Sequence, residues 1–363
     1  MSDKTLARRT SLGIIFDGVD ISNTINHYIT SMTYTDCEEG ESDDLQLDLQ
    51  DREGTWLTKW LEKAVYKAST KKAVKKMKST GLIISATIKA QNWADNGKDA
   101  SLKCGKFEID AVSASGPPST VSIKATSLSY SSAVRQTKKS KSWENYHLSG
   151  IAKEIAQKNK MRCFFESKSD PHYKKMEQSK TSDIAFLSKL CKDAGISLKT
   201  TSQGIVLFNK EQYEAKSPVM TIKPSSKNLL KWKLDNGQTN TQYSSCRVRH
   251  TTKKGTLICG IAYIDDYDKD ASSNQQLELY ANVSTISEAK ALATNQLRLH
   301  NQHECTASFT MTGNPKLGAG ITVTLSGWGL WDGKYIISKA KHTVSSRGYT
   351  TTIQLRKVIS KKV

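Results

Sequence analysis

The chain alternates from its first apolar run onward. Leu12, Ile14 and Phe16, and then Leu45, Leu47 and Leu49, are spaced by two, with polar residues between many of them. That is the period of a strand with one buried face. Over residues 55–67 the period changes. Trp56, Leu57, Trp60, Leu61, Ala64 and Val65 fall on one face of a helix, and Lys67, Lys71, Lys72, Lys75, Lys76 and Lys78 follow it. Strand character returns at residues 82–88, 107–112 and 121–125, with Asn96-Gly97 as a hairpin turn and Gly116-Pro117-Pro118 as a stiff loop. The first segment therefore reads as antiparallel strands with one inserted helix.

Residues 136–145 are rich in Lys and Ser and read as a linker. Leu148, Ile151, Ala152, Ile155 and Ala156 then mark a helix, and residues 161–165 a strand. A second helix carries Ile184, Leu187, Leu190, Cys191 and Ala194. Thr181-Ser182-Asp183 supplies its cap candidates, and Gly195 stands where a glycine ends a helix. Strands at 196–200 and 205–208 complete a small α+β unit. Beyond residue 216 the pattern is β-rich again, with strands at 232–234, 243–250, 257–263, 304–311, 321–325, 334–342 and 349–355. One helix interrupts them, with Thr285 and Glu288 at capping-box spacing.

At 363 residues the chain is long enough for two or three domains. Its mean hydropathy of −0.52 is polar without suggesting disorder. Its apolar runs fall far short of the roughly 20 residues of a membrane span. The first ten residues carry no apolar core of a secretory signal, and the scattered cysteines lead us to expect a chain folded in a cytoplasm. The net charge of +19 is uneven. Residues 1–135 hold 18 basic and 17 acidic residues, whereas 136–363 hold 36 and 18. Such a balance favours acidic partners or anionic surfaces. The excess is mostly Lys, a solvated point charge and a poorer base-edge reader than Arg, so specific nucleic-acid recognition is not expected.

Candidate chemistry is sparse. The seven cysteines are scattered without a paired spacing, which fits reduced thiols better than a zinc site. Asp266, Asp268 and Asp270 match the first positions of a calcium loop, but Ala271 and Leu277 stand where Gly and Glu are needed. His300 and His303 lack a third ligand. No nucleophile elbow and no phosphate-binding glycine loop is present. The acidic stretch from Asp36 to Glu53 could hide a pair of carboxylates for glycoside hydrolysis, or could be a solvated strand-and-loop edge. No catalytic residue, cofactor or metal ligand is assigned.

The C-terminal part carries a more specific pattern. It runs Phe309-Thr-Met-Thr-Gly313-Asn314-Pro315-Lys-Leu-Gly-Ala-Gly320, then Gly327-Trp-Gly, Gly333-Lys-Tyr335, His342 and Gly348-Tyr349. Upstream, Ser182-Asp183-Ile-Ala-Phe186-Leu187 leads to Ala194-Gly195. Over about residues 140–356 this resembles the phage late control protein D family, the baseplate hub of contractile tails, which is related to the hub domains of VgrG proteins. The resemblance implies a β-rich α+β fold. Two antiparallel tail-tube-like β-barrels, each with an inserted helix, would flank a small α+β middle domain. The expected divisions are 1–135 and 216–356 for the barrels, 136–215 between them, and 357–363 as a basic tail. The matched residues are expected to be structural.

The resemblance also implies a homotrimeric ring joining a six-fold tail tube to a three-fold central spike. Partners would be the spike, the tube protein, the tape measure and other baseplate proteins, with no membrane and no specific nucleic acid. The expected place is the virion tail, or a bacteriocin-like particle, assembled in the bacterial cytoplasm. The positive charge of residues 136–363 is expected to face partner proteins rather than DNA in the tail lumen. Two other readings stand beside the non-enzymatic hub: a cell-wall-degrading tail protein and a basic nucleic-acid-binding protein.

Overall fold

The structure, a computed structural model, describes residues 7–40, 42–54, 82–93, 98–127, 137–167, 170–201, 204–237, 243–252, 255–264, 267–271, 274–281, 283–302 and 304–358. The helix read at 55–67, the lysine run after it, the Asn96-Gly97 turn and His303 lie outside these residues.

The fold is β-rich and dominated by one large sheet. Its N-terminal part comprises β1 (Arg9–Phe16), β2 (Val19–Asp20), β3 (Ile29–Cys37), β4 (Asp44–Gln50), β5 (Ile83–Gln91), β6 (Ala100–Ser115) and β7 (Thr120–Thr126), with a short helix α1 (Ser22–Ile25) after β2. The alternation read at Leu12 and Ile14, and at Leu45, Leu47 and Leu49, is the buried face of this module. These residues meet Ile84, Ile88, Phe107 and Ile123 in one core. Because β-strand side chains alternate, the intervening Gln46 and Asp48 face the other side.

The middle part opens with β8 (Lys138–His147), which occupies the stretch read as a linker. It pairs antiparallel with β10 (His172–Ser182). The Lys/Ser composition hid a strand because its outward face is solvated; one deeply buried residue, Trp143, carries the packing. Helix α2 (Leu148–Lys158), β9 (Arg162–Glu166), α3 (Asp183–Ala194), β11 (Ile196–Thr200), β12 (Gly204–Asn209) and α4 (Lys210–Ala215) complete the unit. Helices α2 and α3 bury Ile151, Ile155, Leu187 and Leu190 against Leu198, Ile205 and Leu207. Ser182 caps α3 by accepting the Ala185 N–H at 3.4 Å, and Gly195 ends it in the left-handed region, with φ +68°.

The C-terminal part begins with β13 (Thr221–Ile222) and β14 (Leu229–Asn236). Next come β15 (Ser245–Thr251), β16 (Leu257–Tyr263), β17 (Gln276–Tyr280) and α5 (Ile286–Asn301). Strands β15–β17 form a separate three-stranded sheet, with α5 packed on it and its own core of Cys246, Val248, Ala289, Ala293 and Leu297. Periodicity alone had placed these strands and the helix within the second sheet module. Their partners could not be read from spacing, because a strand's period says nothing about which edge it joins. The remaining strands are β18 (Cys305–Thr312), β19 (Thr322–Leu325), β20 (Gly333–Ser345) and β21 (Gly348–Lys357).

The two large modules share one sheet. Along its main path the strand order is β14-β18-β21-β20-β3-β4-β7-β6-β5-β1-β2, with β19 and β13 branching from β20. The join is the antiparallel pair β20–β3, from Lys339↔Cys37 to Ser345↔Ser31.

Candidate functional site at the junction of the modules

Two seams hold the modules together. The first runs along the β20–β3 join and is neutral. His342 is fully buried there. Its Nε2 lies 2.8 Å from the Leu317 carbonyl, so that nitrogen carries the proton, and Nδ1 accepts from the Tyr349 hydroxyl at 2.8 Å. The Tyr34 ring of β3 stacks on the imidazole at a centroid distance of 6.0 Å. Burial lowers the pKa of His342 and keeps it neutral. Trp93, which follows β5, donates its indole N–H to the Gly313 carbonyl at 2.5 Å and packs on Tyr349 with centroids 5.5 Å apart. A Cβ on Gly313 would sit 2.2 Å from the Tyr349 ring, so only glycine admits this close approach.

The second seam is ionic and joins five stretches of the chain. The end of β3 and the loop after it supply Asp36, Glu38, Glu39 and Asp43. Lys199 of β11 reaches Asp36 at 2.6 Å and Asp43 at 3.3 Å. Arg356 of β21 bonds Glu38 at 2.9 Å and Glu214 of α4 at 2.6 Å; all three side chains are 3% exposed. Arg298 of α5 bonds Glu211 at 2.6 Å and also pairs with Glu214. Lys210 pairs with Glu39 and donates to the Gln302 side-chain Oε1 at 2.9 Å. Asp36 also accepts the Ala319 N–H at 2.9 Å.

Six carboxylates thus meet four cations. Burial pushes Asp43 up to about 6 and raises Glu38 despite its Arg356 partner. Burial opposes the charge of Lys199 as well, but the Asp36 and Asp43 carboxylates outweigh it and hold the ammonium above its ordinary value.

Much of the acidic stretch is therefore turned inward, although Asp44 and Glu53 are exposed. Asp36, Glu38, Glu39 and Asp43 face Lys or Arg side chains from other parts of the chain. Asp48 accepts from Ser31, Ser122 and Gln46 on the sheet surface, and Asp51 is buried. Sequence reasoning did not single out Glu38, Lys199, Lys210, Glu214, Arg298 or Arg356. The one available signal was the cluster of acids at residues 36–44 in a chain that is basic elsewhere.

Of the motif residues, the structure brings Gly313, Asn314, His342 and Tyr349 together at the neutral seam. The Asn314 N–H donates to Thr351, whose hydroxyl lies 3.2 Å from His342 Nδ1. Pro315 and Gly320 sit in the half-buried loop that carries Leu317, and Gly348 turns β20 into β21. Gly333 and Tyr335 lie at the far end of β20, where the Tyr335 hydroxyl donates to the Trp331 carbonyl at 2.8 Å. The middle-domain set is separate. Asp183 accepts from Lys139 at 2.5 Å and from Gln178 at 3.0 Å, Phe186 stacks on Trp143, and Leu187 is fully buried. Gly195 brings the end of α3 against α5, where a Cβ would lie 2.5 Å from Asn295.

The architecture is a large antiparallel sheet joined edge to edge, with an α+β unit held against it by buried ion pairs. The 43 kDa tail protein of prophage MuSo2 from Shewanella oneidensis superposes with a TM-score of 0.68 at 12% identity, covering 96% of this chain and 98% of that one. The Francisella PdpA–VgrG complex contains a chain of the same fold, with a TM-score of 0.56 at 10% identity, covering 100% of this chain and 55% of that one. In sequence the chain is 28% identical over 204 residues to a probable baseplate hub protein of Escherichia phage P2. That match takes in 54% of this chain, which spans less than half the length of the relative, 44%. No family model matches. The fold is shared with these tail and VgrG-complex proteins, and over 204 residues the chain is similar in sequence to the baseplate hub protein.

Proposed function

We propose that this chain is a structural hub that forms a homotrimeric ring at the tip of a contractile tail or tail-like particle. In this reading each copy offers two sheet modules, 1–135 and 216–356, on either side of the 136–215 unit. Three copies then present six similar modules to a six-fold tube and a three-fold face to the central spike. The tube protein, tape measure and other baseplate proteins are the further neighbours, and assembly takes place in the bacterial cytoplasm.

The observation that carries the reading is the β20–β3 pair, which makes two sheet modules one continuous surface. A ring needs segments that do not flex against each other, and a backbone ladder of seven residue pairs supplies that stiffness. The motif residues Gly313, His342 and Tyr349 act here as packing elements of the seam. The lysine excess of residues 136–363 faces acidic neighbours in the particle.

Electron microscopy of intact particles tests this: a three-fold density containing this chain between tube and spike supports the hub. Its absence from that position refutes it. A clearing band for the purified chain on a cell-wall zymogram would favour an enzyme instead. Steeply salt-dependent DNA binding well below micromolar would favour a nucleic-acid role.

A further inference from the structure

The β8–β10 ribbon ends on two histidines that face each other. His147, the last residue of β8, and His172, the first of β10, stand directly opposite in the antiparallel ladder. Opposed side chains of this kind lie on one face of the ribbon, with Cβ atoms roughly 4.5–5.5 Å apart. The two imidazoles meet edge to face, with centroids 4.8 Å apart and planes at 63°. Both residues are exposed, and neither belongs to the two seams.

The backbone that carries them is held from both sides. The Leu148 N–H donates to the Pro171 carbonyl at 2.9 Å, which continues the contact past the end of the ladder. The Asp170 carboxylate accepts the Ser149 N–H at 2.9 Å and the Ser149 hydroxyl at 2.6 Å, tying the approach to β10 to the first turn of α2. Asp170 is thereby fixed, and its backbone carbonyl lies 3.2 Å from His147 Nδ1. A carbonyl can only accept, so in the neutral ring Nδ1 carries the proton and the lone pair sits on Nε2. Histidines that ligate metals are characteristically held in this way, with one ring N–H on a carbonyl and the other nitrogen turned to the ion. The Asp170 carboxylate, 4.0 Å from the same Nδ1, places a negative charge beside the pair.

We infer that His147 and His172 form a two-imidazole site for a zinc-class divalent cation, which ties the end of β8 to the start of β10. Imidazole nitrogens suit Zn²⁺, Ni²⁺ and Cu²⁺, whereas Mg²⁺ and Ca²⁺ prefer oxygen ligands. The rings are free at the surface to rotate about their side-chain bonds, which brings one nitrogen of each to a shared ion. The ladder has already ordered the backbone beneath them, so the pair binds at a lower entropic cost than two unconnected histidines. Among the described residues no group of three ligating side chains closes the site. The remaining coordination positions therefore fall to water or to a donor from another molecule.

The test is calorimetric titration of the full chain with zinc chloride and, separately, with magnesium chloride. The expected result is one zinc site per chain and none for magnesium. His147→Gln and His172→Gln should each weaken zinc binding at least about tenfold, with little further loss in the double variant, because the chelate needs both arms. His300→Gln, at an exposed histidine of α5, should leave binding unchanged. Without metal, all these variants should melt as the parent chain does, since the altered rings are exposed. A second readout needs no variant: zinc should shield His147 and His172 from diethyl pyrocarbonate, as mapped by mass spectrometry. Zinc binding that survives both substitutions, shielding confined to other histidines, or no zinc binding at all would each overturn the site. Magnesium bound as tightly as zinc would assign the ion to carboxylates and overturn it as well.

Discussion

The two seams join the same modules by opposite means. The β20–β3 seam is a backbone ladder filled by neutral groups: His342, Tyr349, Tyr34, Trp93 and a glycine. The seam around Arg356 has no ladder and relies on charge. The ladder fixes register residue by residue, so it can hold two sheets rigidly without further help. A loop and two helices cannot share a ladder with a strand. Ion pairs with fork geometry are the means by which such pieces are held in one orientation. The difference teaches that rigidity within the sheet and attachment of the middle domain are separate properties, each with its own sensitivity.

The largest expected effect comes from breaking the ionic seam. Arg356→Met leaves Glu38 and Glu214 buried without their shared cation and should cost about 3–5 kcal/mol, read as a lowered denaturant midpoint. Adding Glu38→Gln should recover part of the loss. A cost below about 1 kcal/mol for the single variant would mean that charge does not hold this junction.

The neutral seam should break sterically. Gly313→Ala forces a Cβ into the Tyr349 ring and should cost about 1–3 kcal/mol. Tyr349→Leu alone should also destabilise, but the double variant should lose less than the sum of the two. Strict additivity would show that the close approach is not what constrains residue 313.

Acid should sharpen the comparison, because Asp43 of the ionic seam and His342 of the neutral one respond with opposite sign. Asp43 holds its proton more tightly in the fold, with its pKa raised from 3.8 to about 6. Its contribution is full below 3.8 and is lost as pH rises through about 6. His342 is held below its ordinary 6.5 by burial, so its contribution is present above that value and is lost as pH falls below it. Denaturant midpoints measured from pH 4 to 7 should therefore respond differently in two variants. Asp43→Asn should remove a limb that falls with rising pH, and His342→Gln a limb that rises. Parallel shifts in the two variants would erase the distinction between the seams.

The smallest effect belongs to a position outside both seams. Ser182→Ala removes the α3 cap and should cost about 1 kcal/mol in thermal melts, with no change in either pH limb.

Local signals read well wherever one face of an element meets a core. The strand of Leu45, Leu47 and Leu49, the α3 cap at Ser182, the stop at Gly195 and the Thr285 cap of α5 all follow from periodicity and capping chemistry. The motif order from Gly313 to Tyr349 pointed to the hub family, although the reason for Gly313 was invisible until Tyr349 and Trp93 stood beside it. Strand β8 escaped because a ribbon with a single buried anchor has almost no apolar alternation to detect. The acids at 36–44 were conspicuous but ambiguous.

The sequence by itself determined the elements, their caps and turns, and the uneven charge, because those depend on neighbours three or four residues away. Only the tertiary structure decided that β3 would pair with β20, that β15–β17 would leave the large sheet, and that Glu38 would meet Arg356 and Glu214. The β3–β20 and Glu38–Arg356 contacts join residues about three hundred positions apart. A carboxylate carries no mark of which distant cation it will face, since the choice is made by the packing that removes both from water.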